Sequence, residues 1–169
     1  MHYLMKRLTP VLIAILFSAC REERVDAILT GMENKPLPAF DILLPDSTTY
    51  LNTTNISPGK NLVLFYYSPT CPYCRAQMRE TLNNISQFKE EQLCVLIGGD
   101  FRSMKEFSQY FMLQKYPNVI VGIDTGFIVA RNYAIPGVPF TAIFDKNKLL
   151  KSAYVGRLPK KTLLNVTRP

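Results

Sequence analysis

A pair of cysteines directly after a short apolar run constrains this chain more than any other feature. The run spans residues 62–67, contains only aliphatic and aromatic residues, and is followed by Ser68-Pro69. Cys71 and Cys74 come next, separated by two residues. We predict a buried strand, a tight turn that carries Cys-Pro-Tyr-Cys, and a helix that extends to roughly Glu91. The helix is indicated by apolar residues that recur at helical spacing: Cys74, Met78, Leu82, Ile85 and Phe88.

The predicted positions of the two thiols give them different roles. Cys71 would begin the helix, where free backbone N–H groups and the helix dipole favour a negative charge. Because the thiolate is the attacking form of cysteine, we expect Cys71 to be the nucleophile. Cys74 lies one helical turn later, within reach of a disulfide with Cys71, and we expect it to be the more buried, resolving thiol. Pro72 suits the first helical turn, since its missing N–H is not needed there.

The N-terminus is typical of an export signal. Lys6 and Arg7 precede a short apolar run, residues 11–17, which is too short to span a membrane as a mature helix. Ser18-Ala19-Cys20 then resembles the lipobox of bacterial lipoproteins, in which the cysteine is lipidated and becomes the first mature residue. Phe17 departs from the Leu that this box usually has. An ordinary cleaved signal with an incidental Cys20 is the alternative.

These observations divide the chain into three parts. We expect residues 1–19 to be the signal peptide, residues 20–36 to be a polar tether that begins at a lipidated Cys20, and residues 37–169 to form one domain. Export would place that domain in the bacterial cell envelope, facing the periplasm or the outer surface.

The predicted cleavage removes His2, the only histidine of the chain. The mature chain then has no histidine for a Cys-His pair, for a Ser-His-Asp triad or for a metal site. Four cysteines are too few for a structural disulfide framework, and a zinc ribbon would need a second Cys-x-x-Cys pair. Cys94 lies in an apolar run and is interpreted as a core residue. We therefore expect neither a metal nor a cofactor.

The charge pattern argues against a nucleic acid partner. The formal net charge is +7, and two of the positive charges lie in the predicted signal. The remaining basic residues are scattered, with no dense run interleaved with stacking aromatics. A mildly basic surface is compatible with an anionic membrane nearby.

A second informative stretch places Val138-Pro139 before an apolar strand, residues 140–144. A proline that opens a strand in this way is a candidate for a cis peptide bond. The remaining pattern predicts an N-terminal hairpin (residues 40–51), a strand and helix after the cysteine helix, a short β-α pair, and a final hairpin and helix (residues 140–166). This order predicts an α/β domain with a mixed central sheet flanked by helices.

Together these motifs resemble the thioredoxin-like superfamily. The resemblance is closest to its membrane-tethered, extracytoplasmic thiol-disulfide oxidoreductases of the TlpA/ResA kind. It covers about residues 37–167 and rests on the turn at 58–60, Cys71-Pro72-Tyr73-Cys74, Val138-Pro139 and the turn at Asp145. It implies a thioredoxin-like fold with an N-terminal β-hairpin and an inserted β-α unit from Leu93 to about Gln114.

The resemblance also implies roles for the residues. Cys71 and Cys74 would form the redox-active disulfide, with the cis-proline Pro139 packed against it. The backbone of Val138 would pair with the substrate. We assign Pro72 and Tyr73, between the cysteines, to substrate binding as well.

Three positions depart from the family pattern. Thr70 stands where a Trp usually precedes the first cysteine. Phe65 and Gln77 stand where relatives carry carboxylates that handle the proton of the second cysteine. That task would fall to water or to Glu80.

The predicted function is a membrane-anchored thiol-disulfide oxidoreductase that acts on exported proteins, as a reductase. Its partners would be those proteins, a membrane or soluble thiol redox partner, and the membrane itself through the lipid on Cys20; the chain is expected to be a monomer. Two alternatives remain. One is a non-catalytic thioredoxin-fold binding module of the cell envelope. The other is a peroxiredoxin-type thiol peroxidase, although Pro69 lies too close to Cys71 for the usual Pro-x-x-x-Thr-x-x-Cys motif.

Overall fold

A sheet of seven strands forms the centre of the protein in the computed structural model, which describes residues 25–167. Four α-helices flank this sheet within the same residues. In chain order the elements are β1 (Asp41–Leu43), β2 (Tyr50–Asn52), β3 (Asn61–Tyr67), α1 (Pro72–Asn83), β4 (Glu91–Ile97), α2 (Phe101–Tyr110), β5 (Val119–Asp124), α3 (Ile128–Asn132), β6 (Phe140–Phe144), β7 (Leu150–Val155) and α4 (Lys160–Thr167).

The sheet is mixed, as the order of predicted elements indicated. Its strands lie side by side in the order β2-β1-β5-β4-β3-β6-β7. The parallel pairs are β3 with β4 and β4 with β5, while β6 runs antiparallel to β3. β1 and β2 form the predicted N-terminal hairpin. The unit predicted as inserted, from Leu93 to about Gln114, contains α2 and most of β4, which begins at Glu91. The predicted thioredoxin-like fold is confirmed.

β3 is buried on both faces, which explains why its sequence is apolar without alternation. Val63, Phe65 and Tyr67 face one side of the sheet and share a core with residues of α1, α2 and α4. Leu62 and Leu64 face the other side and share a second core with residues of α3 and β1. The cysteine helix α1 therefore lies on the Tyr67 side of the sheet.

α1 is shorter than the sequence pattern predicted. It ends at Asn83, and a 3₁₀ turn, Ile85–Phe88, replaces the rest of the predicted helix. Asn84 ends it because its side-chain amide donates to the carbonyl of Glu80 at 2.8 Å and competes with further helical pairing. Leu82 and Ile85 of the predicted apolar stripe are half-buried and pack against the core that contains Cys74 and Met78. The buried residues of α1 are Cys74, Gln77, Met78 and Thr81.

The chain before β1 lies along the outer edge of β7. The backbone N–H of Ile28 donates to the carbonyl of Ala153 at 2.8 Å, and Pro36 forms a bridge with Leu149. This segment covers an edge strand that would otherwise expose its polar backbone groups. Residues 25–36 of the predicted tether thus pack against the sheet, and the domain boundary at residue 37 remains a prediction.

The predicted signal peptide and Cys20 lie outside the described residues. Within residues 25–167, no helix has the length and apolar character needed to cross a membrane.

Candidate active site

The pairing of β3 with β6 brings the two informative stretches of the sequence together. Tyr66 lies opposite Phe140 in this antiparallel pair. The end of β3 and the start of β6 therefore lie at the same edge of the sheet. The cysteine loop that follows β3 consequently meets Val138-Pro139, which precedes β6. The Val138–Pro139 peptide bond is cis, which confirms the prediction for this proline.

Cys71 caps the N-terminus of α1 and is the accessible thiol of the pair. Its sulfur accepts a hydrogen bond from the backbone N–H of Cys74 at 3.4 Å. Its thiol donates to the carbonyl oxygen of Val138 at 3.8 Å. The residue is partly exposed, and both active-site cysteines are free thiols in this structure. A substrate sulfur can therefore approach Cys71 from the side of Val138.

Cys74 lies one turn further along α1 and is fully buried. Burial is the largest cause that raises the pKa of the Cys74 thiol to about 12, and its hydrogen bond with Cys71 is the next. The backbone N–H of Ser68 acts in the opposite direction and lowers this pKa. Cys74 is therefore a protonated, shielded thiol at neutral pH. The expected difference in burial between the two cysteines is confirmed.

A groove of about 260 Å³ opens beside the cysteines. The side chain of Tyr73 is 66% exposed within it, and Pro72 is exposed next to Tyr73 at the start of α1. The residues that line the groove are Tyr73, Val138, Pro139, Gly156 and Arg157.

Gly156 and Arg157 belong to the site, although the sequence did not indicate this. The backbone N–H of Gly156 donates to the carbonyl of Pro139 at 2.8 Å, which holds the loop after β7 against the cis-proline. Gly156 has a φ of +92°, a conformation that favours glycine. Arg157 forms a salt bridge with Glu80 of α1 at 3.1 Å. A glycine that ends the last strand is the only signal that pointed to this loop.

The proton-handling positions of the family carry uncharged side chains here. Phe65 and Gln77 are both fully buried. The Gln77 carbonyl oxygen accepts a hydrogen bond from the backbone N–H of Leu158 at 2.7 Å. Glu80, the other acid considered for this task, is held by Arg157 and by the backbone N–H of Lys160.

A metal site is not formed by the part of the chain that the structure describes. Residues 25–167 contain no group of three or more His, Cys, Asp or Glu side chains that is placed to hold an ion.

Comparison with known proteins identifies the family. The model of the Redoxin family matches residues 32–167 of the chain. The chain belongs to the Redoxin family. Family and fold together make this redoxin a thioredoxin-like oxidoreductase, as the cysteine motif predicted. No curated protein sequence matches it significantly.

Solved structures of thioredoxin-like proteins resemble this redoxin in fold. The dsbF protein of Mycobacterium tuberculosis has a TM-score of 0.62 at 20% identity, over 75% of this chain and 90% of its own. The thioredoxin domain of a Bacteroides vulgatus thiol-disulfide oxidoreductase has a TM-score of 0.62 at 17% identity, over 83% of this chain and 96% of its own. Etrx1 of Streptococcus pneumoniae, an exposed lipoprotein thioredoxin, has a TM-score of 0.59 at 19% identity, over 77% and 98%.

The difference in burial predicts which thiol reacts with an alkylating agent. With a pKa of about 12, roughly one Cys74 thiol in 10,000 is ionised at about pH 8. We expect iodoacetamide to modify Cys71 first and to leave Cys74 unmodified, as mass spectrometry of peptides would measure. Raising the pH towards the pKa of Cys74 should increase its modification, because the thiolate fraction rises.

Cys94 is the internal control, because it is fully buried on the other side of the sheet and burial raises its pKa to about 12 as well. Modification of Cys74 ahead of Cys71 in the folded protein would contradict this assignment.

Proposed function

We propose that this redoxin exchanges disulfides with exported proteins through Cys71-Pro72-Tyr73-Cys74, and that it acts as a reductase held at the membrane by a lipid on Cys20. The observation that carries the proposal is the geometry of the two thiols. A partly exposed Cys71 and a buried Cys74 lie at the start of one helix, beside a groove that contains the cis-proline. This is the arrangement that a two-step exchange of disulfides requires.

In the first step the thiolate of Cys71 attacks one sulfur of a substrate disulfide. A bond forms between Cys71 and that sulfur, and the second substrate sulfur leaves as a thiolate. The helix N-terminus favours the negative charge on Cys71 before the attack. The carbonyl of Val138, 3.8 Å from the Cys71 sulfur, is positioned to pair with the backbone of an extended substrate.

In the second step Cys74 loses its proton and attacks the sulfur of Cys71. The bond between Cys71 and the substrate breaks, the substrate leaves as a thiolate that takes up a proton, and the Cys71–Cys74 disulfide forms. The substrate disulfide has then gained two electrons, and the cysteine pair has lost two. A thiol redox partner must return these electrons for the next cycle.

The proposed location rests on the sequence at the N-terminus and on one structural relative. Residues 1–20 combine a basic segment, an apolar segment and a small-residue box that ends in Cys20. Etrx1, which shares the fold, is described as an exposed lipoprotein. The backbone of Ile28 already pairs with Ala153 of the sheet, and only seven residues separate Ile28 from Cys20, so a lipid on Cys20 would hold the domain close to the membrane surface.

Substitution of each cysteine tests the mechanism. In an assay that follows reduction of a protein disulfide by dithiothreitol, we expect Cys71→Ser to lower the rate to that without enzyme, because the attacking sulfur is lost. Cys74→Ser should instead accumulate a covalent complex with the substrate, visible on a gel run without reducing agent. Cys94→Ser is the control and should keep full activity, since Cys94 lies in the opposite core.

Turnover that persists without Cys71 would contradict the mechanism. A folded wild-type protein that reduces no disulfide with any thiol donor would favour the binding module.

The direction of electron flow is tested by the reduction potential of the Cys71–Cys74 pair. Thioredoxin-like proteins range from about −270 mV for a reductant to about −120 mV for an oxidant. For a reductase we expect a value near the lower end of this range, measured by equilibration with dithiothreitol and glutathione buffers. A value near the upper end would make the protein a disulfide donor instead.

Arg157 predicts a preference among substrates. Its side chain is half-exposed in the groove next to Val138 and Pro139, so an acidic residue beside the substrate cysteine would approach its guanidinium group. We expect disulfide peptides with a flanking Glu to be reduced severalfold faster than peptides with Lys at that position. Arg157→Ala should remove the difference, measured as kcat/KM for the two peptides.

Arg102→Ala provides a matched control, because Arg102 also pairs with a glutamate, Glu106, but lies on α2 and does not line the groove. If Arg157→Ala still prefers the Glu peptides, the preference comes from another part of the surface and not from Arg157.

A further inference from the structure

The segment before β1 leaves the domain at the same edge of the sheet as the candidate active site. It runs antiparallel to β7, because Ile28 pairs with Ala153 whereas the later residue Pro36 bridges with the earlier residue Leu149. Towards its N-terminus the segment therefore follows the direction in which β7 runs. β7 ends directly before Gly156, which lines the groove beside the cysteines.

Val25 shows on which side of the sheet this segment leaves. It lies three positions before Ile28, in the direction of Gly156. Its side chain is partly buried and packs against the core that also contains Cys74 and Leu158. Val25 thus lies on the side of the sheet that carries the cysteine helix α1, towards the edge that holds the groove.

The proposed lipid on Cys20 lies close to this point along the chain. Cys20 precedes Val25 by five positions. An extended chain spans at most about 3.6 Å per residue, so the two Cα atoms are at most about 18 Å apart. A strand of five residues such as β6 covers about 17 Å between the two edges of the sheet. The tether would therefore have to be almost fully stretched along the domain to bring the lipid to the opposite edge.

We propose that the lipid on Cys20 holds the domain with its groove turned towards the membrane, so that Cys71 exchanges with cysteines held at the lipid surface. The inference rests on the proposed function and adds to it the class of partner, a protein whose reacting cysteines lie close to the lipid headgroups. The bonds that form and break are those of the exchange described above. A partner free in solution would have to enter between the groove and the membrane.

Lysines at the opposite edge of the sheet act against this orientation on an anionic membrane. The Lys148 ammonium group donates to the carbonyl of Lys60 at 2.7 Å, and the Lys60 ammonium group donates to the carbonyl of Lys89 at 3.2 Å. Lys146 is exposed at the same edge, in the turn between β6 and β7. Attraction to anionic lipids falls off within about 10 Å at 0.1 M salt, whereas the lipid on Cys20 is a covalent attachment. We therefore expect the tether to determine the orientation.

Energy transfer to the membrane tests the orientation directly. The lipidated protein is purified from membranes and reconstituted into vesicles of phosphatidylcholine and phosphatidylglycerol that contain acceptor fluorophores on headgroups. The donor fluorophore is placed on Cys71 in a Cys74→Ser variant, or at position 146 in a variant that combines Cys71→Ser, Cys74→Ser and Lys146→Cys. Cys94 is fully buried and should stay unlabelled in both.

We expect at least twofold more energy transfer from the label on Cys71 than from the label at position 146, because the two sites lie at opposite edges of the sheet. Equal transfer from both sites would overturn the proposal. Greater transfer from position 146 would overturn it too, and would assign the orientation to the lysines around Lys60.

A flexible insertion in the tether adds a functional measurement. About forty Gly and Ser residues placed between Glu23 and Arg24 leave every described residue unchanged and let the domain rotate. For a disulfide attached to a lipid headgroup, we expect the insertion to lower the rate of reduction severalfold, because a longer flexible linker lowers the effective concentration of Cys71 at the surface. The same disulfide free in solution is the control, and its rate should stay within about twofold.

The outcomes separate the orientation from the function on which it rests. If the insertion leaves the rate with the headgroup disulfide unchanged or raises it, the native tether does not turn Cys71 towards the membrane and the proposal is wrong. A protein that does not sediment with the vesicles, or that reduces neither disulfide, would instead show that the proposed function itself has failed.

Discussion

The antiparallel pairing of β3 with β6 is the constraint on which the site depends. Because the two strands run in opposite directions, the residues after Tyr67 and the residues before Phe140 must lie at the same edge of the sheet. One of these segments carries Cys71, the proposed nucleophile, and the other carries the Val138 carbonyl, 3.8 Å from its sulfur. The other neighbour of β3, β4, is parallel and cannot bring a strand start to that edge. The mixed character of the sheet is therefore what brings Cys71 and Val138 together.

The end of β3 also determines the different environments of the two thiols, because the cysteine helix α1 starts there. α1 begins at the surface and then turns its next residues towards the Tyr67 side of the sheet, so a single helical turn takes the chain from a partly exposed Cys71 to a fully buried Cys74. Burial raises the pKa of the Cys74 thiol, whereas Cys71 caps the helix at the surface and accepts a hydrogen bond from the backbone N–H of Cys74. The two cysteines thus differ in burial because of where the helix starts. This difference does not require a charged side chain beside either of them.

Local signals were sufficient to predict the fold and the two segments that meet at the candidate site. Cys-Pro-Tyr-Cys after an apolar run and Val138-Pro139 before another run are contiguous in sequence, and each element that they predicted is present. The end of α1 was missed because it depends on the hydrogen bond from the Asn84 side chain to the Glu80 carbonyl. Hydrophobic periodicity gives no information about such a contact. Arg157 was missed for a different reason. Gly156 marked the end of a strand, but the position of the following loop beside Pro139 depends on how β7 is placed in the sheet, which no local pattern contains.

The contacts of α1 with the loop after β7 connect one wall of the groove to the helix that carries the cysteines. Gln77 accepts a hydrogen bond from the backbone of Leu158, and Glu80 pairs with Arg157 in the same loop. Both residues lie on the helix that Cys71 caps. A substrate that contacts Arg157 would therefore touch a loop that is fixed to α1. The distance from the substrate disulfide to Cys71 would then depend on the packing of this loop against α1 and not on a flexible connection. At a position where relatives carry an acid, Gln77 therefore fixes the loop that lines the groove to the helix that carries the cysteines. A thiolate at Cys74 would have to be stabilised by other groups.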